Sequence, residues 1–93
     1  MAKGEGEMKT IWKFKLDPDC IIDIPKGSRL LTVAAQGEDI CLWVECFNDL
    51  KKESRRFITY GTGHILPDNP GKYIGSSFLL GGSLAFHTYE VKL

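Results

Sequence analysis

Ninety-three residues supply one small domain, enough chain for a single modest core and too little for a second. Twelve basic residues balance twelve acidic ones, so no net field draws the chain to a nucleic-acid polymer or an anionic membrane, and no apolar run approaches the ~18 residues of a membrane span. There is no hydrophobic leader at the start, and three cysteines without a C-x-x-C pair suit neither a disulfide framework nor zinc, so the expectation is a cytoplasmic protein with reduced thiols and no metal.

Residues 1–8 read as a flexible N-terminal extension, because Gly, Glu and Lys dominate and no apolar period is present. A single β domain is expected over residues 9–93. Trp12, Phe14 and Leu16 alternate with Lys13 and Lys15, which predicts a half-buried strand over Thr10–Leu16. Asp17-Pro18-Asp19 breaks it. Ile22 and Ile24 flank Asp23 in a short second strand, closed by the turn Pro25-Lys26-Gly27-Ser28.

Arg29–Ala35 and Ile40–Phe47 flank Gln36-Gly37-Glu38-Asp39, a hairpin signal. With Gly37-Glu38 as the loop, Leu31, Val33 and Ala35 oppose Val44, Leu42 and Ile40 on one aliphatic face. The other face then carries Leu30, Thr32, Ala34, Cys41, Trp43 and Glu45. A one-residue slip would move the aliphatic face into water, so this pattern sets the register.

Asn48–Ser54 reads as a polar connection. Arg55–Tyr60 returns as a strand, with Arg56, Ile58 and Tyr60 on one face and Arg55, Phe57 and Thr59 on the other. The Gly61-Thr62-Gly63 turn ends it, and Pro67-Asp68-Asn69-Pro70-Gly71 is a rigid loop. Lys72–Leu80 and Leu84–Val91 form a terminal hairpin around Gly81-Gly82. That pairing puts His87 across from Ser76, Phe86 across from Ser77 and Tyr89 across from Ile74. No helical period persists over ten residues. The fold class is all-β, an antiparallel sandwich or small barrel of about seven strands.

Residues 60–87 hold both histidines and six of the ten glycines, set among hydroxyl and aromatic side chains. Successive backbone N–H groups in a Gly-Thr-Gly turn can cradle an anion, and Arg55 and Arg56 lie just before it. The ligand-binding expectation is therefore one surface for an anionic ligand, made by Arg55, Arg56, Tyr60, Gly61, Thr62, Gly63, His64, Tyr73, Ser76 and His87. Arginine would neutralise phosphate and tyrosine would stack a base. No Ser/His/Asp or Cys/His arrangement can be assembled from the spacing, and the acidic residues fall mainly in turns. A binding protein without cofactor, not an enzyme, is expected.

Met8-Lys9-Thr10-Ile11-Trp12-Lys13-Phe14, Ile24-Pro25-Lys26-Gly27, Cys41-Leu42-Trp43, Tyr60-Gly61-Thr62-Gly63-His64, Tyr73-Ile74-Gly75 and Gly82-Ser83-Leu84-Ala85-Phe86-His87 carry a resemblance over residues 8–92. Together they resemble a family of short tailed-phage and prophage proteins that bears a domain-of-unknown-function label. The resemblance implies an accessory phage protein in the bacterial host cytoplasm. Two roles suit that setting. One is a homo-oligomeric binder that counters host immunity by sequestering a small anionic nucleotide signal. The other is a protein-interaction module, either an inhibitor of a host protein or a minor structural phage component.

Overall fold

Period-two alternation runs through almost every segment, and in the computed structural model, which describes residues 8–93, each such segment is a strand. The extension read over residues 1–8 lies, apart from Met8, outside the described residues. Seven strands follow in order: β1 (Lys9–Lys15), β2 (Asp19–Pro25), β3 (Arg29–Gln36), β4 (Asp39–Phe47), β5 (Lys52–Gly61), β6 (Lys72–Leu79) and β7 (Leu84–Val91). They form two antiparallel sheets, one of three strands in the order β1-β4-β3 and one of four in the order β2-β5-β7-β6. The architecture is an all-β sandwich.

The core fills the space between the layers. Leu16, Val33, Leu42, Val44, Cys46 and Phe57 are buried there, with Trp12, Phe14, Cys20, Ile22, Leu30, Ile40 and Ile74 packed against them. Burying side chains of this size contributes about 1.5–3 kcal/mol each, which is what holds two otherwise separate sheets together. Inside the four-stranded sheet, the Thr59 and Thr88 hydroxyls satisfy each other at 2.9 Å. The layers approach most closely where β3 meets β6. A Cβ on Gly75 would stand 3.5 Å from the Val33 Cβ, so a side chain would fill the gap at this seam.

Two registers differ from the expectation, and both differences are bulges. Gly37-Glu38 is the β3–β4 loop and Val33 does face Leu42, but the ladder shifts between Leu30 and Thr32. Leu30, not Leu31, therefore opposes Val44, and Leu31 is left 39% exposed. In the terminal hairpin His87 faces Ser76 and Phe86 faces Ser77 as expected, but a second shift falls between Tyr73 and Gly75. Tyr89 is consequently opposite Tyr73, while Ile74 turns to the core. An extra residue on one strand inverts the inside-outside order beyond it. The polar connection is also shorter than Asn48–Ser54, because Lys52, Glu53 and Ser54 pair with Pro25, Ile24 and Asp23. The last turn is a 3-10 turn, Leu80–Gly82, instead of a two-glycine loop.

Candidate functional site

Strand alternation gives the four-stranded sheet two faces of opposite character. Phe57, Ser77 and Thr88 point inward and are buried. Their neighbours point outward, and the register sets them in rows. Tyr60, His87 and Ser76 form one row, Ile58, Tyr89 and Tyr73 the next, and Ile21, Arg56 and Val91 a third. Tyr89 lies between the other two tyrosines, with ring centroids 6.0 Å from Tyr60 and 5.6 Å from Tyr73, both edge-to-face. That geometry suits the ring quadrupoles and holds the three rings in fixed relation.

A polar chain borders the tyrosines. Ser76 Oγ lies 2.8 Å from His87 Nδ1, and Thr62 Oγ1 lies 2.8 Å from His87 Nε2. The Tyr73 hydroxyl closes the far end on Ser76. Both imidazole nitrogens are thus engaged by hydroxyls, which orient the ring. A serine beside a histidine suggests nucleophile and base, but here the third group is a threonine hydroxyl, not a carboxylate that would stabilise an imidazolium. The arrangement is suited to presenting a fixed polar surface.

The Gly61-Thr62-Gly63-His64 corner uses its own donors. Gly61 N–H donates to His64 Nδ1 at 3.1 Å, Thr62 N–H to Ala85 O at 3.0 Å, and His64 N–H to Gly61 O at 3.0 Å. Three of its four backbone N–H groups are therefore spent inside the chain, where an anion nest would need them turned outward. The imidazole of His64 lies against Gly61, and a Cβ there would meet its Cε1 at 3.0 Å. The glycine permits this stacking, and the stacking places His64 on the opposite side of the turn from His87.

The two arginines separate because they are adjacent on one strand. Arg55 turns inward. Its Nε and Nη2 bind Glu90 Oε2 and Oε1 at 2.6 and 2.8 Å, and its Nη1 donates to Ser28 O at 2.9 Å. This fork raises the Arg55 pKa further, against the opposing effect of burial. Arg56 turns outward and forms a fork with Asp19 at 2.9 and 2.6 Å. The hydrogen bond from Arg56 holds the Asp19 carboxyl below its ordinary range, and the Arg56 pKa rises in return. Among the described residues, no three His, Cys, Asp or Glu side chains converge as metal ligands.

The structure thus brings Arg56, Tyr60, Thr62, Tyr73, Ser76 and His87 to one face, with Gly61 and Gly63 in the turn beside it. Arg55 lies on the inner side, and His64 lies beyond the turn. Ile21, Ile58, Tyr89 and Val91 complete the face without having been singled out from the sequence. The alternation His87, Tyr89, Val91 was the available signal for two of them, and the isolated Ile21 between inward-facing Cys20 and Ile22 was the signal for a third. The carboxylates opposite the arginines, Asp19 and Glu90, lie 37 and 35 residues away and have no local signature.

No curated protein and no solved structure matches the chain. Residues 8–93 match the family described as a domain of unknown function (DUF7352), and with nearly the whole chain covered the protein belongs to that family.

Proposed function

We propose that this chain is a binding module without catalytic activity, and that it holds a partner protein on the outer face of its four-stranded sheet. One observation carries the reading: three tyrosines in edge-to-face contact and a hydroxyl–imidazole chain share the outer face of the four-stranded sheet. The outer face of the three-stranded sheet also exposes Ile11, at 58%, but sets it among the pairs Lys9–Glu45 at 3.3 Å and Lys15–Asp39 at 3.5 Å and the Lys13–Gln36 contact. On the four-stranded sheet the outer rows are tyrosine, isoleucine and valine beside Ser76, His87 and Arg56. Ile21 is 58% and Tyr73 53% exposed there. Large, rigid amphipathic side chains around a small polar network are the composition of an interface centre. The resemblance to short tailed-phage proteins supports a phage or prophage accessory role in the bacterial cytoplasm.

A second reading, nucleotide sequestration, is favoured by the position of Arg56. Its guanidinium is on the tyrosine face and its Asp19 partner is at the surface, so a phosphate can replace that carboxylate while a base stacks on tyrosine. Arg55 is spent on Glu90 and takes no part.

The test compares the parent with Tyr60→Ser/Tyr89→Ser. The parent is expected to retain a specific host or phage protein from a bacterial lysate, and the double variant to melt cooperatively but lose it. Equal retention by both proteins overturns the outer-face reading. A thermal shift with nucleotides, abolished in Arg56→Ala, decides for the second.

A further inference from the structure

A separate opening lies at one end of the sandwich, between the layers and on the far side of the Gly61–His64 turn from the tyrosines. It is a cleft of about 410 Å³, within the range of small-molecule sites. Its walls are apolar side chains at the sheet ends: Leu16 and Ile40 from one layer, Leu79 and Phe86 from the other, with Thr59 between. Its rim is acidic. Asp17, Glu38 and Asp39 stand around the mouth against a single lysine, Lys15, which lies 3.5 Å from Asp39. Asp17 and Glu38 have no ion-pair partner among the described residues.

We infer that this cleft binds a small organic cation, an amine carried on an aromatic or branched aliphatic body. The two halves of the inference rest on different contacts. Apolar walls from both sheets match an apolar body, whose burial supplies the affinity. The uncompensated carboxylates at the mouth match a positive head that stays partly hydrated, and they disfavour a carboxylate or phosphate in the same position. The site therefore selects the opposite charge from the one that the Gly-Thr-Gly turn suggests in sequence. It is independent of the outer-face reading, because none of its wall residues lies on that face.

The probes are phenylbutylamine, phenylbutyrate and phenylbutanol, which share one apolar body and differ only at the head group. Each is titrated into the full chain while amide chemical shifts are followed by nuclear magnetic resonance. The amine is expected to give saturable shifts at Leu16, Ile40, Gly61, His64 and Phe86, with an affinity about tenfold above the carboxylate, equivalent to about 1.4 kcal/mol. In Asp17→Asn/Glu38→Gln, two exposed turn positions, the preference for amine over carboxylate is expected to fall several-fold while phenylbutanol binds as before. The inference is overturned if the amine produces no saturable shifts at these residues. It is equally overturned if amine and carboxylate bind alike in the parent, or if the double variant keeps the full preference. An outer-face partner that fails to appear in a lysate leaves these titrations untouched, so the two readings fail separately.

Discussion

Arg55 on β5 clamps Glu90 on the neighbouring β7, two parallel hydrogen bonds at 2.6 and 2.8 Å between side chains each about 20% exposed. A third bond ties the same guanidinium to Ser28 O, in the connection that carries the chain from one layer to the other. The arginine therefore joins sheet to crossover. Because the pair is largely desolvated, removing one member strands the other. Both side chains keep about a fifth of their exposure, so Arg55→Ala is expected to cost less than breaking a fully buried pair, about 2–3 kcal/mol of stability. Arg55→Lys should recover little of this, since an ammonium cannot reproduce the fork. A melting temperature lower by at least about 8 °C in Arg55→Ala checks the assignment.

Ser77 presents the opposite case. It is 1% exposed on the inner face, and its Oγ has no hydrogen-bond partner among the described residues. The hydroxyl was desolvated without compensation, which costs on the order of 1 kcal/mol. Ser77→Ala should raise stability by about that amount in chemical denaturation, with an unchanged denaturant slope. A loss of stability would show that the hydroxyl has a partner.

Asp19 gives the protein part of its acid sensitivity. The hydrogen bond from Arg56 depresses its folded-state pKa below the ordinary value of 3.8. A depressed carboxylate stabilises the fold above its unfolded pKa, and that contribution disappears as the pH falls through the folded pKa. The stability difference between the parent and Asp19→Asn is therefore expected to be constant near neutrality and to shrink as the pH drops below about 4. Unfolding curves at a series of pH values measure it. A difference that stays constant down to strongly acid conditions contradicts the pairing.

The thiols should be separable by reactivity. Cys41 and Cys46 are 3% and 2% exposed, while Cys20 is half-buried on the inner face of β2. Burial pushes the thiols of Cys20 and Cys46 up, which lowers the reactive thiolate fraction at neutral pH. Mass spectrometry after brief alkylation is expected to find Cys20 modified first, with Cys41 and Cys46 labelled only after unfolding.

Val33 and Leu42 face each other in the core at 4% and 0% exposure. Val33→Asp or Leu42→Asp buries an unpaired charge and should leave no cooperative unfolding transition. Two soluble, cooperative variants would contradict the register of β3 on β4.

The strands themselves were legible in the amino-acid order, because side-chain alternation is a local property with a period of two. Trp12/Phe14/Leu16, Val33/Leu42 and Ser76/His87 could all be placed from spacing and turn length. Leu31 and Tyr89 could not. A bulge depends on how one strand must bend against the opposite layer, and β3 and β6 carry their irregularities where the layers meet at Gly75 and Val33. The ten residues gathered around the Gly-Thr-Gly turn shared sequence proximity, but a strand sends neighbours to opposite faces. Arg55 and Arg56 are the clearest case, since adjacency guaranteed their separation. What each then met, Glu90 on the inside and Asp19 on the outside, was decided by strand order. Pairing between distant segments is selected by the packing of the whole sandwich, and no single segment encodes it.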